Sequence, residues 1–140
     1  MFVKQLCIFI ENKSGKFQEL TNILSSNGIN MFSLSLSDST SYSVVRMIVS
    51  DPNKAQAVLA KDGFASVVND IMAVKLDNEQ GELNALLKAL NEQKIDVQYA
   101  YALTSGKSAS ILLKTTDDIA AEKIIAKSHS FYSEDEIKSL

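Results

Sequence analysis

An offset of 66 residues maps the first half of this chain onto the second. Gly15 falls on Gly81, Asn12 on Asn78, Leu20 on Leu86, Leu24 on Leu90 and Ile29 on Ile95. Asp51 falls on Asp117 and Ala60-Lys61 on Ala126-Lys127, with no gap from the first loop to the second helix. The matches recur at the same loop, the same helix faces, the same helix end and the same helix start. Self-similarity at a fixed period marks a duplicated supersecondary unit. A chain of 140 residues is long enough for about one ordinary domain or two small ones. The offset therefore predicts two small domains, 1–69 and 70–140, with the boundary near Asn69-Asp70.

Each repeat reads as strand, helix, strand, strand, helix, strand. In the first, Lys4–Ile10 is a short apolar run of β-formers. Phe17, Leu20, Ile23 and Leu24 then recur at helical spacing, with Ser14 expected as N-cap and Gly28 as the left-handed residue that closes the helix. Leu34 and Leu36 alternate with Ser33, Ser35 and Ser37, which predicts a half-buried strand with one apolar and one hydroxyl face. Tyr42–Val49 is a further strand after a turn at 38–41. Asp51-Pro52 starts a second helix that Gly63 ends, because Asp caps and Pro loses nothing at the first helical position. Phe64–Val68 completes the repeat as a short strand. In the second repeat the strands are expected at Ile71–Leu76, Ile95–Leu103, Ala109–Thr115 and from Phe131, with a loop at Asp77–Gly81, a helix marked by Leu83, Leu86, Leu87 and Leu90 to about Lys94, and another over Asp117–Ser128. The turn at Thr104–Lys107 and a frayed acidic end around Glu134-Asp135-Glu136 complete the expectation. This order predicts an α+β chain of two ferredoxin-like βαββαβ units in tandem, each an antiparallel sheet with its helices on one face.

Composition excludes several functions. The balance of 14 basic and 17 acidic residues gives a net charge of −3, against nucleic-acid binding, which needs a basic face. A single cysteine and a single histidine leave no disulfide and no Cys/His metal centre or multi-residue triad. Cys7 is expected as a core thiol and His129 as a surface loop residue. No apolar run approaches the roughly 20 residues that span a bilayer, and the opening stretch reads as a strand, not a signal. Cytoplasm is the expected location. A metal carrier on this fold would want paired cysteines in the first loop, where Asn12-Lys13-Ser14-Gly15 stand. An RNA reader would want aromatics on the sheet, where the serines stand. No carboxylate pairs with a nucleophile, so no enzyme activity and no cofactor are expected.

The segments "FIENKSGKFQELTNILSSNGINM" and "VKLDNEQGELNALLKALNEQKIDV" resemble the ACT domain family of small amino-acid-binding regulatory modules. "YSVVRMIVSD" and "SASILLKTTD" resemble that family's third strand leading into its second helix. The resemblance covers almost the whole chain as two copies. Where the family's loop usually carries Asp or Asn, one residue, then Pro-Gly, this chain keeps Asn12, Gly15, Asn78 and Gly81 and puts Ser14 and Gln80 in place of the proline. The resemblance implies a stand-alone, non-catalytic sensor of a free amino acid. It also implies a homodimer and regulation of an enzyme of amino-acid metabolism. The competing expectation is a docking module or regulatory subunit that binds no ligand itself.

The loop chemistry agrees with the first of these. A helix N-terminus exposes unpaired N–H groups and partial positive charge, which attract a carboxylate. Glycine there lets a ligand approach the backbone. The candidate site therefore comprises Asn12, Ser14, Gly15, Lys16 and Phe17, and in the second repeat Asn78, Gln80, Gly81, Glu82 and Leu83. The starts of the second strands, Asn30-Met31 and Asp96-Val97, are expected to serve the ammonium end. Lys16 would attract a carboxylate where Glu82 would repel it, so the first junction is expected to be the better receptor. Tyr99 and Tyr101 share a strand face and are expected to pack or meet a second copy, and Arg46 is expected at the surface or in an ion pair.

Overall fold

Alternation along the first strand decides which face collects the core. A computed structural model describes residues 1–39, 41–77, 80–103 and 110–140. In β1 (Val3–Glu11) Leu6, Ile8 and Ile10 point one way and are buried. β3 (Tyr42–Val49) pairs antiparallel to it, with Leu6 opposite Met47 and Ile8 opposite Val45. Onto this face α1 (Lys16–Ser26) buries Leu20 and Leu24, and α2 (Pro52–Lys61) buries Ala55 and Leu59. Asp51 caps α2 by accepting from the Lys54 N–H at 3.0 Å. β2 (Met31–Asp38) is outermost beside β3, and β4 (Ala65–Lys75) lies beside β1. The order β2-β3-β1-β4 is that of a ferredoxin-like unit, which here comprises Lys4–Asp70.

The second unit comprises Ile71–Leu140 together with Met1–Val3. The later part of β4 pairs antiparallel with β6 (Ser110–Thr115), and β6 pairs antiparallel with β5 (Val97–Ala102). Met72, Val74 and Leu113 form a core with Leu86 and Leu90 of α3 (Glu82–Glu92) and Ala121 and Ile125 of α4 (Asp118–Ile125). Phe2 packs on this second core. Asp117 caps α4 as Asp51 caps α2, accepting from the Ala120 N–H at 3.1 Å.

Several expectations need correction. The strands foreseen at Phe64–Val68 and Ile71–Leu76 are one continuous strand, β4, and Asn69-Asp70 lies inside it. The last strand is reduced to a bridge between Phe131 and Val74. The acidic end is not frayed: α5 (Glu134–Lys138) carries a full capping box, with Ser133 and Glu136 each accepting from the other's backbone N–H, and it buries Ile137. Leu34 and Leu36 are not half-buried. They stand opposite Met47 and Val45, on the helix side, but β2 is the outermost strand and neither belongs to the core under α1 and α2. Leu36 is 48% exposed, whereas Ser33 on the other face is buried. Tyr99 and Tyr101 do share a face of β5 and are half-buried. The turn foreseen at Thr104–Lys107 lies outside the described residues.

Candidate functional site

The chain leaves β1 at Glu11 and enters α1 through Gly15, whose φ of 84° is left-handed. That conformation strains any residue with a Cβ and suits glycine. Gly81 repeats it before α3 with φ 83°. Ser14 does not cap α1, contrary to expectation. The N-cap is Gly15, and among the described residues neither α1 nor α3 has a side-chain cap, although α2, α4 and α5 have one each. A Cβ built on Gly15 or Gly81 would meet nothing within 4 Å. The Lys16 N–H donates to the Lys13 carbonyl at 3.3 Å, and no side chain caps the turn that follows.

Beside this turn lies an open cleft of about 50 Å³ lined by Phe9, Ile10, Glu11, Lys16, Asp62, Gly63 and Phe64. It has room for a water or two, well short of the several hundred Å³ of a formed ligand pocket. The Lys16 ammonium stands 5.6 Å from the centre of the Phe64 ring and 3.4 Å from Glu19. Phe17 turns inward onto the core. Across the loop, the bond donated by Lys13 to Glu11 at 2.8 Å holds the Glu11 carboxyl below its usual range.

Asn12, Asn30 and Asp96 are already engaged. Asn12 donates its amide to the Ser39 carbonyl at 2.9 Å and accepts the Ser43 hydroxyl at 2.5 Å, so it fastens the β2–β3 turn to the end of β1. Asn30 exchanges two bonds with Ser50: its N–H donates to the hydroxyl at 3.0 Å and its carbonyl accepts the Ser50 N–H at 2.9 Å. Asp96 and Thr116 repeat both bonds at 3.1 and 2.9 Å. Within each unit, these strand starts also lie at the far end of the sheet from the loop–helix junction. Glu11 pairs with Tyr42 at one end of β3 and Met31 with Val49 at the other. At about 3.3 Å per residue the separation is roughly 23 Å. The structure therefore does not bring Asn30-Met31 to Gly15, nor Asp96-Val97 to Gly81, within one unit. Met31 is exposed and Val97 half-buried. Gln80 and Leu83 are exposed. Asn78 lies outside the described residues.

The whole chain, residues 1–140, matches the family model described as the ACT domain pair. The chain belongs to the ACT domain pair family. A crystal structure of a protein from Bacteroides thetaiotaomicron is similar to this ACT domain pair at TM-score 0.91 and 28% identity, over 100% of this chain and 98% of that one. The regulatory subunit of aspartate kinase from Thermus thermophilus shares the fold at TM-score 0.61 and 14% identity, over 89% of this chain and 91% of that one. Its counterpart from Thermus flavus does so at TM-score 0.59 and 11% identity, over 89% and 90%. No curated protein matches the chain.

Set against the first junction of the ACT domain pair, the second is built differently. His129 is not a surface loop residue. Its ring lies 2.6 Å from the Glu82 carboxylate, and its side chain is 9% exposed. The sequence reading missed this pair, yet the 66-residue offset carries its signal: His129 falls on Gly63 and Glu82 on Lys16. Ser50 and Thr116 were missed too, although they stand at equivalent positions. Cys7 is buried, and burial pushes its thiol up, against the opposing charge of Arg46 and side-chain hydrogen bonds with Gln5, Asn69 and Arg46; the Gln5 amide donates to Sγ, and Sγ donates to Asn69 Oδ1. Among the described residues no group of three or more His, Cys, Asp or Glu side chains is placed to hold a metal. No described helix is long and apolar enough to cross a membrane.

Proposed function

We propose that this ACT domain pair is a non-catalytic regulatory protein that senses a free amino acid at its first loop–helix junction. The observation that carries this reading is the uncapped, open first turn of α1 behind the left-handed Gly15, with Lys16 beside it. A carboxylate bonding to the Phe17 and Gln18 N–H groups would meet the positive end of the helix dipole, worth about 0.3–1 kcal/mol at an exposed site and up to ~2 kcal/mol when partly buried. The two repeats serve as the two domains, with Met1–Val3 joining the second. The cleft is too small and open to enclose a ligand by itself. The reading therefore includes a homodimer in which a second copy supplies the partners of the ammonium group, the role given to Asn30-Met31. The protein acts in the cytoplasm on an enzyme of amino-acid metabolism.

Thermal unfolding against the twenty amino acids tests this. A ligand at 100 times its Kd adds about 2.7 kcal/mol, a rise of several degrees in Tm. Gly15→Ala and Gly81→Ala should each cost about 1–2 kcal/mol for the left-handed backbone, since neither Cβ meets a neighbour. Only Gly15→Ala should also remove the ligand-induced rise. The second reading, a docking module that binds no amino acid, is favoured by the exposed Leu34 and Leu36 on the outermost strand. A flat panel with wild type would select it.

A further inference from the structure

The two junctions of this chain share a left-handed glycine turn and differ in the side chains around it. Gly15 and Gly81 have the same left-handed turn, and the first turns of α1 and α3 both lack a side-chain cap among the described residues. In the first unit the residue after the glycine is Lys16, and the facing segment is Asp62-Gly63-Phe64, which together line an open cleft. Gly63 has no side chain, and a Cβ there would meet nothing within 4 Å. At the equivalent positions of the second unit stand Glu82 and Ser128-His129-Ser130. The His129 ring is bonded on one side to Ser128 at 2.7 Å and on the other to Glu82 at 2.6 Å.

We infer that the second junction is closed from within: the Glu82 carboxylate, held by His129, takes the place at the first turn of α3 that the first junction offers to an external carboxylate. This rests on the reading of the first junction as a carboxylate receptor, and it makes the chain a one-site sensor with a self-occupied second site. A negative side chain on the first residue of α3 already lies along the dipole that would draw a ligand. It also repels a second carboxylate, and the imidazole that would otherwise attract one is taken.

The test uses acetate as a minimal carboxylate and follows backbone amides of the full chain in proton–nitrogen correlation spectra. In wild type, acetate should move the Phe17 and Gln18 amides and leave those of Leu83 and Asn84 in place. In the double variant Glu82→Lys/His129→Gly, which installs the first junction's residues, the Leu83 and Asn84 amides should move as far as Phe17 and Gln18 do. Glu82→Gln, which keeps the shape and removes the charge, should move the same two amides and replaces the double variant if that fails to fold. Equal movement at both junctions in wild type would overturn the inference. So would silence at Leu83 and Asn84 in a folded variant. If Phe17 and Gln18 stay silent in wild type while Leu83 and Asn84 respond in the variants, the closure stands and the receptor role of the first junction falls.

Discussion

Lys94 is the one non-glycine residue with a positive φ among the described residues, at 57°. It stands at the end of α3 where Gly28, at φ 69°, stands at the end of α1. The duplication thus kept a left-handed helix exit and lost its glycine in one copy. A side chain in that conformation costs about 1–2 kcal/mol, partly offset because glycine makes the unfolded chain more flexible. Lys94→Gly should therefore raise stability by about 0.5–1 kcal/mol, and Gly28→Ala should lower it by about 1 kcal/mol. Urea unfolding midpoints of the two variants measure both. At this scale the sequence showed where glycines break helices, and it placed Gly15, Lys16 and Gly81 at the junctions. It did not show that Asn12 is spent on Ser39 and Ser43, because a hydrogen-bond partner across a turn leaves no periodicity. Ser14 failed as a cap for a related reason: the left-handed residue that follows it takes the N-cap position.

The helices and inner strands were legible because burial repeats with their own period. Leu20 and Leu24, Leu86 and Leu90, and Leu6, Ile8 and Ile10 all lie where that period puts them. The outermost strand was not legible, since Leu34 and Leu36 alternate correctly yet no helix covers them. The short α5 has no apolar period to read, and its signal was the Ser133-x-x-Glu136 capping box. Ser133→Ala should cost about 0.5–2 kcal/mol, and Ile137→Ala, a fully buried truncation, about 2–5 kcal/mol. Hydrogen exchange at the α5 amides would rise in the first variant while the helices of the first unit stay protected. The joint between β6 and α4 has its own pH dependence. Burial would raise the Asp118 carboxyl, but the Lys114 ammonium at 2.5 Å and the Thr115 N–H and hydroxyl at 2.9 and 2.8 Å outweigh it and hold it low. A carboxyl depressed by folding stabilises above its unfolded pKa of about 3.9 and loses that contribution as pH falls through the folded value. Wild type should therefore lose stability more steeply below about pH 4 than Asp118→Asn, as read from unfolding midpoints across that range.

For the molecule as a whole, the proposed homodimer is argued from β2, an outermost strand whose Met31, Leu34 and Leu36 are exposed. Unpaired, apolar strand edges are commonly covered or blunted. Light scattering should report a dimer at micromolar concentration and a monomer for Leu34→Lys/Leu36→Lys, and a monomeric wild type would end the idea. Duplication was the most legible property of the sequence, since it needed only an offset. What the offset concealed is that one strand, β4, serves the end of one repeat and the start of the next, and that Phe2 packs with the second core. The unit of Lys4–Asp70 is in effect inserted between Val3 and Ile71 of the other. This ordering has a meaning for synthesis. At about 5–20 residues per second, the inserted unit has all its residues for roughly 4–14 s before the surrounding one has its last. Phe2 is thus made before the second core on which it packs is complete. Anything that holds Phe2 meanwhile competes with the second core.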